Sequence, residues 1–159
     1  MKPYNINDIA DYIIDRLTSD EPSPLIHLKL QKLLYYIQAW SLGIEGSIMF
    51  EGKFQAWVHG PVNRIIYNRF LGKSLYGFIN RDDIQNLAYS ISENDKYFVN
   101  YILDNYAGYS GSDLEKMTHQ EFPWIEARGN LSPTERCTVE ISEDTMKLYY
   151  GKRWKELNG

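Results

Sequence analysis

Apolar residues recur along this chain at two periods, and the changes of period divide it into elements. The pattern is densest between Leu28 and Leu42. On a helical wheel Leu30, Leu33, Leu34, Ile37 and Trp40 fill one broad arc, while Leu28, Tyr35, Ala39 and Leu42 fill much of the opposite side. Only Gln31 and Gln38, two turns apart on one line, and Lys29 with Lys32 interrupt that surface. Such a helix has almost no face to give to water. The pattern therefore predicts a buried central helix, starting near Leu28 and stopping at Gly43, with the rest of the chain packed around it.

The flanking segments follow in order. Ile6, Ile9, Ala10, Ile13 and Leu17 mark a first helix, with Asn7 as its cap and Asp8 in its first turn, broken by Asp20-Glu-Pro-Ser-Pro24. After Gly46 the period shortens: Ile48-Met-Phe50 and Lys53-Phe-Gln-Ala-Trp57, joined across Glu51-Gly52, predict a short hairpin. A helix with Pro61 at its first position follows, carrying a stripe of Val62, Ile65, Ile66, Arg69 and Phe70. Gly72 to Gly77 reads as a loop and Asp82 to Tyr89 as a short helix. Ser92-Glu-Asn-Asp95 is a capping box opening a helix through Tyr106, and Ser112-Asp-Leu-Glu115 a second, opening a helix to about Gln120 that stops before Pro123. A Pro133-led segment and a helix from Ser142 to about Tyr150 complete the chain, with a polar tail from about residue 151 expected to fray. The sum is a mainly α fold with a small β-hairpin (α+β), one compact domain over residues 1–159, of about six or seven helices around the buried central one.

Composition agrees with that reading and narrows the function. With 159 residues, 43% hydrophobic and 24% charged, the chain can bury a core without disulfides or metal. Its net charge of −4 and pI near 5.4 argue against a general nucleic-acid binder, which needs a concentrated basic surface. Cys137 is the sole cysteine, which suits a reducing compartment. The first residues lack the apolar run of a signal peptide, and no apolar segment approaches membrane-spanning length. A cytoplasmic protein is expected.

Groups that carry chemistry are sparse. His59, before Gly60-Pro61, and His119-Gln-Glu-Phe-Pro-Trp124 are the two places to look, and His59, His119 and Glu121 supply the ligand types of a metal site or the bases of a hydrolase. Neither spacing matches a known zinc arrangement. A plainer reading has His59 buried at a strand-to-helix corner, His119 closing a helix on its last carbonyls, and Pro123-Trp124 wedging an aromatic into the core. Cys137 has no flanks of a nucleophile, and Gly43 and Gly46 lack the spacing and lysine of a phosphate loop. No catalytic residue, cofactor or metal site is assigned, and an enzyme is not expected. Aromatic residues are abundant at 14%, with thirteen Tyr and four Trp. Tyr76, Phe78, Tyr106, Tyr109, Tyr149 and Tyr150 fall in loops or near helix ends, where spare aromatics can anchor a partner.

Three blocks carry a resemblance. They are Lys29-Leu-Gln31-Lys32-Leu-Leu-Tyr35-Tyr36-Ile-Gln38-Ala-Trp40, then Ala56-Trp57-Val-His59-Gly60-Pro61-Val62 followed by Tyr67, then Leu114 with His119, Glu121, Pro123 and Trp124. In order and spacing they resemble the signature of the Panacea domain, the SocA-like and GepA-like phage-associated family. The resemblance covers nearly the whole chain; position 41 is Ser where the family often has His. It implies an antitoxin that binds and silences a cognate protein toxin encoded beside it. In the SocA-like branch it also implies an adaptor that delivers the toxin to a cytosolic protease. Members often carry an added DNA-binding domain, for which no residues are left over here.

Two further readings stay open at this point. One is the metal- or histidine-dependent hydrolase built on His59, His119 and Glu121. The other is a DNA-binding regulator that lays the Pro61-to-Phe70 helix in the major groove and reads through Asn63, Arg64 and Arg69.

Overall fold

A computed structural model describes residues 2–19 and 25–159; the predicted break at residues 20–24 lies outside them. Helix α2, His27–Trp40, is the axis of the domain, and every one of its residues is buried, the two lysines included. Its polar side chains are spent on pinning neighbouring backbone. Gln38 accepts from the amides of Met49 (2.8 Å) and Phe50 (3.3 Å) and donates to the Phe50 carbonyl at 2.8 Å. Two turns earlier, Gln31 accepts from the Asn63 amide at 2.8 Å and donates to the Asn63 carbonyl at 3.2 Å. Each buried amide thus satisfies an extended segment that would otherwise carry unpaired polar groups into the core. The helix does not stop at Gly43 as expected. It widens into a π-helical turn, Ser41–Glu45, and ends on Gly46, whose φ of 73° is the left-handed conformation that favours glycine.

Helix α1, Ile6–Thr18, packs Ile6, Ile9, Ala10, Ile13 and Ile14 inward. Its cap is Asn5 rather than Asn7, because Ile6 must already be helical to reach the core; Asn5 accepts from the Asn7 amide at 2.8 Å. The hairpin exists, but one segment later than expected. Strand β2, Phe54–Trp57, pairs antiparallel with β3, Gly60–Asn63, around Val58-His59, with Phe54 opposite Asn63 and Trp57 opposite Gly60. Residues 48–50 are not its partner, since Gln38 takes the Met49 and Phe50 groups a strand would use. Pro61 therefore lies in a strand and does not open a helix. Helix α3, Arg64–Arg69, begins after Asn63, which accepts from the Ile66 amide at 3.1 Å. A second two-stranded sheet pairs β1, Leu25–Ile26, with β4, Phe78–Ile79.

No helix spans Asp82 to Tyr89. A single 3-10 turn, Arg81–Asp83, is followed by irregular chain whose Gln85 and Asn86 amides donate to the buried carboxylate of Asp11, each at 3.1 Å. Helix α4, Glu93–Tyr106, starts at Ser92 as predicted, though Asp95 accepts from Tyr4 and Ser92 hydroxyls instead of closing a reciprocal box. Helix α5, Gly111–His119, is capped by Ser110, not Ser112. Beyond it α6, Phe122–Arg128, was not foreseen: Pro123 sits in its first turn, where a missing N–H costs nothing. Helix α7, Glu143–Asn158, starts at Ser142 and runs straight through the tail expected to fray, because Trp154 packs on the core and Gly151 fits against Gly43. Among the described residues seven α-helices and the hairpin give the mainly α architecture expected. Among the described residues no helix is long and apolar enough to cross a membrane.

Candidate functional site

The three sequence blocks meet around the β2–β3 hairpin. Lys32, fully buried, donates from Nζ to the Pro61 carbonyl at 2.8 Å. Trp124 donates from Nε1 to the Trp57 carbonyl at 2.9 Å, and the His119 ring stacks on Trp124 with centroids 4.2 Å apart. One turn further along that face of α2, Glu121 accepts from the hydroxyls of Tyr36 (2.9 Å) and Tyr150 (2.6 Å), and Tyr35 meets the Tyr150 hydroxyl at 3.2 Å. Lys29 donates to the Ala107 carbonyl at 2.6 Å, and Trp40 Nε1 to the Tyr106 hydroxyl at 2.8 Å. The motif residues are therefore cross-links between elements far apart in sequence, and Gly60 is required where it stands. Its φ is 89°, and a Cβ there would come within 2.7 Å of Lys32 Cε and 2.8 Å of Thr118 Oγ1.

Burial sets the electrostatics of this region. It lowers the Lys32 ammonium to about 7, against a smaller opposing pull from Glu115. His27 falls to about 4, first by burial and then by the charge of Lys32. Burial also lowers His119 and raises Glu121, whose tyrosine hydrogen bonds pull it partly back. Three buried polar atoms here, His27 Nδ1, Glu115 Oε1 and His119 Nε2, have no hydrogen-bond partner.

The histidines do not form the grouping a hydrolase would need. His59 is not a buried corner residue. It stands in the hairpin turn with its side chain 40% exposed, Nδ1 3.5 Å from Glu115 Oε1. Glu121 is engaged instead by the hydroxyls of Tyr36 and Tyr150. Among the described residues no group of three or more His, Cys, Asp or Glu is placed to hold a metal ion. The groove-reading helix fails for a similar reason. Asn63 is buried as the α3 cap, and Arg69 is buried in an ion pair with Asp11; only Arg64 is exposed, its guanidinium 5.6 Å from the Trp57 ring centroid.

Of the aromatics expected at the surface, Tyr76, Phe78 and Tyr109 are exposed, at 61%, 64% and 46%. Tyr150 is fully buried, and Tyr106 is turned inward, stacked on Tyr36 at 4.1 Å, so neither presents its ring to a partner. Tyr149 is half-buried against the core with Arg153 over its ring. Beside the hairpin turn opens a cavity of about 430 Å³, lined among others by Trp57, His59, Tyr67, Leu75, Tyr76 and Arg136. Sequence reasoning passed over His27, Glu115 and Arg128. The first two carry a signal, lying one turn before Gln31 and His119 on the same helical faces. Arg128 carries none, although it donates to the carbonyls of Ala56, Ser132 and Glu135 and ties the 129–137 loop to β2.

Such an architecture defines a helical scaffold whose shared residues are spent on internal cross-links, leaving aromatic and basic side chains free around one cleft. The sequence model of the SocA-like antitoxin, Panacea domain, family matches residues 30–125, more than half of the chain, and the chain belongs to that family. Antitoxin SocA of Caulobacter vibrioides (strain NA1000 / CB15N) is 33% identical over 73 residues. That match covers 46% of this chain and 38% of the relative's length. No solved structure matches the chain.

Proposed function

We propose that this protein is an antitoxin: in the cytoplasm it binds a protein toxin encoded beside it and silences that toxin by direct occupation. The family match over residues 30–125 carries the reading. The packing supports it, because the buried polar side chains of α2 are consumed in holding the hairpin and loops, whereas Trp, Tyr and Arg, the types that anchor interfaces, remain accessible beside the hairpin.

Coexpression with the neighbouring open reading frame tests it. The neighbour alone is expected to arrest growth, and growth is expected to return when this protein is supplied. Toxin abundance in the rescued cells separates the two modes of silencing. An unchanged level fits occupation, whereas loss of the toxin points to delivery to a cytosolic protease. Arrest that persists beside this protein contradicts the proposal.

A further inference from the structure

The cavity beside the hairpin turn has features of a docking site for a particular kind of chain. Its volume, about 430 Å³, admits one large side chain with the backbone that carries it. Trp57 and Tyr67 form an aromatic corner with ring centroids 4.9 Å apart, and exposed Tyr76 stands across from them, edge-on to His59. A second cleft, between α4 and α7, is also aromatic, with Trp40, Tyr101 and Trp154 in its wall, but at about 110 Å³ it is too small for the same task and carries no charged residue.

Charge selects the occupant. The chain is acidic overall, yet among the described residues no carboxylate lines the larger cavity, and Arg136 is the cation in its wall. Arg64 does not line the cavity, but it is exposed and holds a second guanidinium 5.6 Å from the ring centroid of Trp57, which does. Glu115 faces the His59 imidazole, its Oε1 3.5 Å from Nδ1, and among the described residues no carboxylate forms an ion pair with Arg136 or Arg64. Arg136 also lies beyond residues 30–125, while Trp57, Tyr67 and Tyr76 lie within them. A floor from the family segment is thus edged by a charge from outside it.

Resting on the antitoxin reading above, we propose that the toxin docks here through a segment that presents an aromatic or long aliphatic side chain next to a carboxylate. The apolar group fills the corner between Trp57, Tyr67 and Leu75, and the carboxylate pairs with Arg136 and Arg64. Guanidinium forks suit that geometry, and a desolvated aromatic corner is where binding energy concentrates.

The test is titration calorimetry of the purified neighbouring gene product against the full chain and four variants. Tyr76→Ala and Arg136→Glu change exposed side chains, and thermal melting confirms that they fold. Each is expected to weaken binding by about tenfold or more, Arg136→Lys by less, and Leu148→Ala, an exposed residue of α7 outside the cavity, not at all. Tight binding by the full chain with Tyr76→Ala and Arg136→Glu equally tight overturns the docking site and leaves the antitoxin reading standing. Loss with Tyr76→Ala but not with Arg136→Glu overturns the acidic chemistry of the occupant. Absence of binding by the full chain overturns the direct-binding reading, and the docking site with it.

Discussion

The buried ammonium of Lys32 donates to the carbonyl of Pro61 at 2.8 Å, so a charge on the central helix fixes the strand that turns the hairpin. Its energetics depend on pH with a definite sign. Burial holds the folded-state value at about 7, below the ordinary 10.5. Between those values the unfolded chain holds a proton that the folded chain has released. The contribution of Lys32 to stability is therefore flat below about pH 7 and grows as pH rises toward 10.5. Lys32→Met removes that rise. Urea denaturation at about pH 7 and about pH 9.5 is expected to show the gain in stability reduced by roughly 2–3 kcal/mol in the variant. An identical gain in both proteins contradicts the assignment.

Tyr106 illustrates how the aromatics are used. Its hydroxyl accepts the Trp40 indole N–H at 2.8 Å, and Tyr106→Phe leaves that donor unpaired between α2 and α4. The expected loss is about 1–3 kcal/mol in chemical denaturation. Tyr109→Phe, at an exposed ring, is expected to change nothing measurable.

Asp11 and Arg69 form a buried ion pair whose carboxylate also receives the Gln85 and Asn86 amides. Arg69→Met leaves that carboxylate without its cation and is expected to cost about 3–5 kcal/mol. Asp11→Ala additionally releases the irregular segment after α3, so amide exchange at Gln85 and Asn86 is expected to accelerate ahead of exchange in α2. Uniform acceleration along the chain contradicts this local role.

Gly43 permits a close approach of the π-helical turn to α7. A Cβ there would lie 2.7 Å from the Tyr150 and Gly151 backbone, while one at Gly72 would meet nothing within 4 Å. Gly43→Ala is expected to lower stability by about 1–3 kcal/mol and to reduce the helix content of α7 in circular dichroism. Gly72→Ala is expected to do neither.

These relationships mark where the sequence was legible. The central helix was, since fourteen consecutive residues without a polar face leave one solution, and its buried glutamines and lysines stood out as exceptions. The hairpin was displaced because its register is chosen by Gln31, Lys32 and Gln38, side chains eleven to thirty-two positions away, which local periodicity does not register. Helix α6 was hidden by Pro123, read as a stop where it serves as a start. Polar composition made residues 151–158 look frayed, although the Gly43–Gly151 contact and Trp154 anchor them. At the candidate site the sequence names the motif residues, but whether they meet a partner or each other depends on burial. Lys29, Lys32, Gln31 and Gln38 turn inward. Arg136, which gives the cavity its charge, sits in a loop with no pattern to announce it.

Silencing by direct occupation is tested most simply in a tube. The activity of the purified toxin proposed to be encoded beside this protein is measured while the protein is added in increments. A linear fall to zero at a fixed molar ratio, without loss of intact toxin and without any other component, is the predicted result; activity unchanged at large excess would contradict it.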